Sequence, residues 1–171
     1  MKSVIGMLRS RGLLAPRRVF SATQPAVASS AAPPESNQLD FWIGHWECRW
    51  EGGQGTNRIE KILDGRVVYE QFDGSPGMDL LGRSYSVFDS AMGKWRQTWV
   101  DNEGGYLDFV GGVEGERFVL LLVRLHEETP FKRMVFQNIS PEAFDWHWQA
   151  STDRGKSWAD SWYIRYRRLA G

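Results

Sequence analysis

The sequence predicts an all-β fold, an antiparallel up-and-down β-barrel of about ten strands. From Leu39 onward, ten short runs alternate apolar and polar residues with period two and are rich in aromatic and β-branched side chains. Clusters of Gly, Asp, Asn or Pro separate them, and every connection is short enough to be a hairpin. No run keeps a 3.6-residue period, so helix should be limited to a turn or two. An open meander of that length would leave two exposed edges, and closure into a barrel removes them.

The first strand is expected over about Phe41 to Glu51, ending in Gly52-Gly53-Gln54-Gly55, and the second over about Thr56 to Leu63. Asp64-Gly65 is a two-residue hairpin signal, because glycine supplies the positive φ that such turns require. Arg66 to Phe72 forms the third strand, closed by Asp73 to Gly77, and Leu80 to Phe88 the fourth. The turn Asp89 to Gly93 leads into the fifth, Lys94 to Val100. Asp101 to Gly105 connects to the sixth, Tyr106 to Val110, which meets Gly111-Gly112. The seventh, Phe118 to Leu125, is the most apolar run. Thr129-Pro130 and Ser140-Pro141-Glu142 bracket the eighth, about Phe131 to Ile139, and Phe144 to Ala150 and Trp158 to Arg168 complete the set.

Within the first strand, Gly44-x-Trp46 has a physical role at a barrel end: glycine lets the chain bend and the indole plugs the interior. If Trp46 points inward, alternation takes Trp42, Cys48 and Trp50 inward and His45, Glu47 and Arg49 outward. With Trp as the inward marker elsewhere, the rule selects Trp95, Gln97, Trp99 and Asp101 on the fifth strand. It selects Trp146 and Trp148 on the ninth, and Trp158, Asp160, Trp162, Ile164 and Tyr166 on the tenth. A bulge would invert any of these assignments.

The 171 residues carry 21 basic and 21 acidic side chains. The balance hides an asymmetry, since Lys2, Arg9, Arg11, Arg17 and Arg18 lie in the first 34 residues, which contain no acid. The remainder is mildly acidic and lacks the basic footprint of a nucleic-acid-binding protein. No run approaches the roughly 18 apolar residues of a membrane span. Cys48 is the only cysteine, which excludes an internal disulfide and a multi-cysteine zinc site and suits a reducing compartment.

Residues 1 to 34 are rich in Ser, Ala and Pro and contain Arg but no Asp or Glu, the composition of an organelle transit peptide. Arg18-Val19-Phe20-Ser21 resembles a matrix-processing pattern with cleavage after Phe20. The expectation is therefore a transit peptide over 1–20, a disordered linker over 21–38 and a barrel over 39–171, with delivery to the mitochondrial matrix favoured over the plastid.

Ser151-Thr152-Asp153-Arg154-Gly155-Lys156-Ser157-Trp158 matches the Asp-box pattern, a turn device without catalytic chemistry; a propeller would repeat it blade by blade. His45, His126 and His147 show no metal-ligand spacing. The register places the first and last outward, and His126 falls at a strand end, which argues against haem held by an inward histidine. Asp101 with Glu103, and Asp160, are the only candidates for acid or base chemistry, and hairpin or salt-bridge roles account for them. No nucleophile elbow or phosphate loop is present, and no cofactor is implied.

Gly44-x-Trp46, the run Tyr85-Ser86-Val87-Phe88-Asp89 leading to Lys94-Trp95-Arg96-Gln97-Thr98-Trp99-Val100-Asp101, and the Asp-box before Trp158 together resemble a bacterial family of calycin-like proteins known mainly as a domain of unknown function. The resemblance covers about Leu39 to Arg168. It implies a lipocalin-like barrel and no assigned activity, and the transit-like leader departs from the bacterial pattern.

A ten-stranded barrel is wide enough to hold a cavity. The first functional expectation is non-enzymatic binding of a small hydrophobic or aromatic molecule, in a site lined by Trp46, Gln97, Trp99, Trp148 and Trp162. The alternatives are an accessory subunit of a mitochondrial assembly and a small enzyme using Asp101 or Asp160 as acid or base. An open cavity favours the first, a filled interior with an exposed apolar patch the second, and a cavity containing a carboxyl group of raised pKa the third.

Overall fold

Alternation within each run is realised as a ring of ten strands. The computed structural model describes residues 32–123, 126 and 131–170, so the expected transit peptide, its processing residues Arg18, Phe20 and Ser21, and most of the linker lie outside the described residues. The strands are β1 (Gly44–Trp50), β2 (Gly53–Ile62), β3 (Val67–Asp73), β4 (Leu81–Asp89), β5 (Lys94–Asp101), β6 (Tyr106–Glu114), β7 (Arg117–Leu122), β8 (Phe131–Gln137), β9 (Ala143–Ser151) and β10 (Ala159–Arg168). Each pairs antiparallel with its sequence neighbour, and β1 pairs with β10 to close the barrel. The fold is the up-and-down meander expected, and a calycin-like architecture fits it.

Meander topology gives the barrel two unlike ends. Residues 34–42 precede β1 and lie at the end where β2 finishes: Lys61 of β2 forms an ion pair with Asp40 at 2.5 Å and donates to Asn37 at 3.0 Å. Here the chain makes two single 3-10 turns, Pro34–Asn37 and Asp40–Trp42. Both differ from the sequence expectation, which placed the first in a disordered linker and began a strand at Phe41. Short polar segments make such turns when neighbours satisfy their ends. The Ser36 hydroxyl bonds the Pro33 carbonyl at 2.6 Å, and Gln38 accepts the Trp95 indole N–H at 3.0 Å.

The turn at Asp40–Trp42 carries Phe41 and Trp42 into the end of the barrel, where they meet Phe118, Phe136 and Phe144 edge-on or tilted at centroid separations of 5.2–6.4 Å. Trp46 is fully buried, packs on Phe144 at 4.9 Å and donates its indole N–H to the Trp42 carbonyl at 2.8 Å. The Arg168 guanidinium lies 4.1 Å from the Trp46 ring and donates to the Ile43 and Pro141 carbonyls, sealing that end. Gly44 has φ +142°, and a Cβ there would stand 2.1 Å from the Arg168 guanidinium. The Gly-x-Trp motif is thus a three-part plug of glycine, indole and arginine.

Beyond shifts of a few residues at strand ends, such as β2 starting at Gly53 inside the expected turn, β6 and β10 depart from the sequence expectation. Gly111-Gly112, expected to end the sixth strand, lies inside β6; the Val119 carbonyl approaches to 1.9 Å of where a Gly111 Cβ would stand. In β10 the register shifts between Asp160, opposite Gln149, and Trp162, opposite Trp148. This irregularity inverts the first residues of the strand. Asp160, expected inward, is turned to the outer face beside His147, and Trp158 lies in the turn before β10 under the Arg133 guanidinium, 4.2 Å from its ring. Strict alternation fails there because an unpaired residue breaks the period of two.

Candidate functional site

Inward side chains from β1 to β5 and β10 bring a polar layer into the middle of the barrel. Asn57, Glu70, Ser84, Ser86 and Gln97 are all buried. Glu70 accepts from the Asn57 amide at 2.7 Å and from the Ser84 hydroxyl at 2.5 Å. Gln97 donates to Ser84 at 3.1 Å and Ser86 at 3.0 Å, and Asn57 also donates to the Tyr166 hydroxyl at 3.1 Å. Polar groups at this depth survive by bonding one another. Full burial pushes the Glu70 pKa up, against the lowering effect of Ser84, Asn57 and Arg83. Burial likewise pushes the Cys48 thiol and the Tyr166 phenol up, which makes Cys48 a small core residue and not a nucleophile.

Beside that layer the interior is open, from the end opposite the plug down to Trp42 and Phe136 at the plug itself. A cavity of about 470 Å³ is walled by Phe72, Leu80, Trp99, Trp146, Trp148 and Trp162, among others, with Glu70 and Lys132 as its charged-type residues. The walls are ordered by ring contacts. Trp162 meets Trp146 at 5.6 Å and 83°, and Phe72 at 6.2 Å and 88°; Trp146 and Trp148 run parallel at 6.4 Å. Trp99 lies flat over Gly82, where a Cβ would come within 1.9 Å of the indole, so the missing side chain on β4 sets how far Trp99 leans from the cavity centre.

Of the five residues expected to form the site, Trp99, Trp148 and Trp162 line this cavity. Trp46 belongs to the plug, and Gln97 to the polar layer behind the wall. Glu70 and Lys132 were missed. Trp served as the inward marker, and neither β3 nor β8 contains one. Phe72 two residues from Glu70, and Met134 two residues from Lys132, carry the same signal.

Asp101 and Asp160 have structural roles. Asp101, at the rim, accepts the Trp99 indole N–H at 2.9 Å and the Gly105 and Glu103 amides at 2.7 and 3.1 Å, which hold its pKa down. Asp160 accepts from Gln149 and meets His147, both at 2.9 Å; these bonds outweigh its partial burial and lower its pKa. A carboxyl of raised pKa in the cavity therefore occurs at Glu70 and at neither acid named from the sequence. His45 and His126 are exposed, and His147 lies on the outer face. Among the described residues no group of three or more His, Cys, Asp and Glu side chains gathers as metal ligands, and no helix is long and apolar enough to cross a membrane.

In the Asp-box, the Asp153 carboxylate accepts the Ser157 amide and hydroxyl at 2.8 and 2.6 Å and the Ser151 hydroxyl at 2.8 Å. Gly155 takes φ +86°, and Trp158 donates to its carbonyl at 3.1 Å. It braces the β9–β10 turn at the rim of the cavity.

No known protein family matches the sequence, and no curated protein matches it.

Proposed function

We propose that the protein is a binding barrel for a small hydrophobic or aromatic molecule, which it holds without turning it over. The observation that carries this reading is the aromatic-walled space of about 470 Å³ at one end of a barrel whose other end is sealed. That volume falls within the range of roughly 300–1,000 Å³ of small-molecule sites, and apolar walls with few polar groups are their usual composition. Holding a molecule without chemistry also suits a carboxyl whose two oxygens are both engaged inside the wall. The arginine-rich, acid-free leader supports delivery to the mitochondrial matrix.

Native mass spectrometry of the protein purified from its own organism tests the proposal. A co-purifying small molecule near one equivalent is the expected result. An empty barrel recovered in a large assembly would replace it with the accessory-subunit role. The same spectra give the mature N-terminus, expected at Ser21; an N-terminus upstream of residue 10 would remove the mitochondrial assignment.

A further inference from the structure

We propose that the molecule held in the cavity is an anion, an apolar body whose acidic group lies against the Lys132 ammonium. The inference rests on the binding reading above and adds the chemical class of the ligand. Lys132 is the one cationic side chain lining the cavity among the described residues. It is half-buried near the start of β8, stands 5.6 Å from the centroid of the Trp148 ring, and among the described residues forms no ion pair with a carboxylate. An ammonium partly withdrawn from water without a counter-charge is a vacancy for one.

The neutral polar atoms of the wall point to the same class. Among the described residues the indole N–H groups of Trp146, Trp148 and Trp162, all on the wall, have no hydrogen-bond acceptor. Each can only donate. On the wall the Glu70 carboxyl is committed, receiving Asn57 on one oxygen and Ser84 on the other; the unpartnered amide oxygens of Asn57 and Gln97 belong to polar-layer residues that do not line the cavity. At the rim the Asp101 carboxylate is held by three N–H groups of its own hairpin. The free polar complement is therefore a cation and a set of donors, which fits a ligand that brings acceptors and negative charge. A cationic guest would find aromatic faces suited to it, but no free carboxylate among the described residues of the wall, and would share the space with Lys132.

A matched pair of dyes tests this on the full chain: 8-anilinonaphthalene-1-sulfonate and its neutral parent N-phenyl-1-naphthylamine, titrated by fluorescence with transfer from the cavity tryptophans. Lys132→Met should weaken the sulfonate roughly tenfold, the size of one charge-assisted hydrogen bond, and leave the neutral dye within about twofold. Lys132→Arg should restore sulfonate binding, which separates charge from packing. A cavity-filling Leu107→Trp should abolish both signals. Equal response of the two dyes to Lys132→Met, or a sulfonate signal that survives Leu107→Trp, would overturn the anion assignment while neutral-dye binding kept the cavity reading intact. Failure of both dyes to bind the unaltered protein would overturn the binding reading itself.

Discussion

The two ends of the barrel are built from the same kind of residue and reach opposite outcomes. At the closed end Phe41, Trp46, Phe118, Phe136 and Phe144 fill the space between them, each ring meeting others at 4.9–6.4 Å. At the open end Trp99, Trp146, Trp148 and Trp162 stand in comparable ring contacts, yet about 470 Å³ remains among them. The difference lies in the chain that precedes β1. Two 3-10 turns carry Leu39, Phe41 and Trp42 into one mouth, and among the described residues no such segment enters the other. Aromatic content therefore sets the width and polarity of the interior, while a capping segment decides whether it is core or cavity.

The largest expected effect lies in the plug. Trp46→Ala removes a fully buried indole, leaves the Trp42 carbonyl without its donor and takes away the ring beneath Arg168. It should cost about 3–5 kcal/mol, read as a lower midpoint in urea unfolding. Trp162→Ala at the open end should cost no more than about 2 kcal/mol, because part of that ring already faces open space, yet should weaken hydrophobic-dye binding at least tenfold. Equal destabilisation at the two sites would mean that the open end is packed as tightly as the plug.

Gly82→Ala sharpens the contrast from the β4 side. Its methyl group would meet the Trp99 indole at 1.9 Å, so the ring must move toward the cavity centre. The expected result is destabilisation of about 1–3 kcal/mol with loss of dye binding, and a crystal structure of the variant would show Trp99 displaced. Retained binding would mean that the ligand does not use the space beside Trp99.

Glu70 separates the ends, and its raised pKa fixes the sign of a pH effect. Below the unfolded-state pKa of about 4.3 both states hold the proton and the group costs nothing. As pH rises above that value, the unfolded state releases its proton first, and the fold loses stability until pH has passed the raised folded-state value. Glu70→Gln should abolish this loss, so the variant gains on the wild type progressively above pH ~4 in thermal melts at a series of pH values. Identical pH profiles would show that Glu70 ionises freely inside the barrel.

The fold was legible because the alternation is locally determined: Trp46, Trp95, Trp99, Trp146 and Trp148 all sit on inward registers, and the signals Asp64-Gly65 and Asp89 to Gly93 mark turns between strands. Asp160 was misplaced because the register shift before Trp162 depends on how β10 meets β9, which the local pattern does not encode. The site was half legible. Its tryptophans follow from period two, but which of them face space depends on where residues 34–42 go, a tertiary fact. Trp46, with the strongest motif in the chain, was for that reason placed in the site although it belongs to the plug.

The smallest expected effect concerns the rim. Asp153 accepts three hydrogen bonds in the β9–β10 turn, and the Ser157 hydroxyl, then the Ser157 amide and the Ser151 hydroxyl, hold its pKa down to about 2. A lowered folded-state pKa contributes stability above the unfolded value of about 3.9, and that contribution is lost as pH falls toward 2. Asp153→Asn keeps the acceptor oxygen and removes the charge. Its stability should therefore lie slightly below wild type at pH 5 and converge on it between pH ~4 and ~2, with dye affinity unchanged because the turn braces the rim without lining the cavity. Loss of dye binding in this variant would instead make the Asp-box turn part of the entrance, and the two ends of the barrel would then differ in mobility as well as in packing.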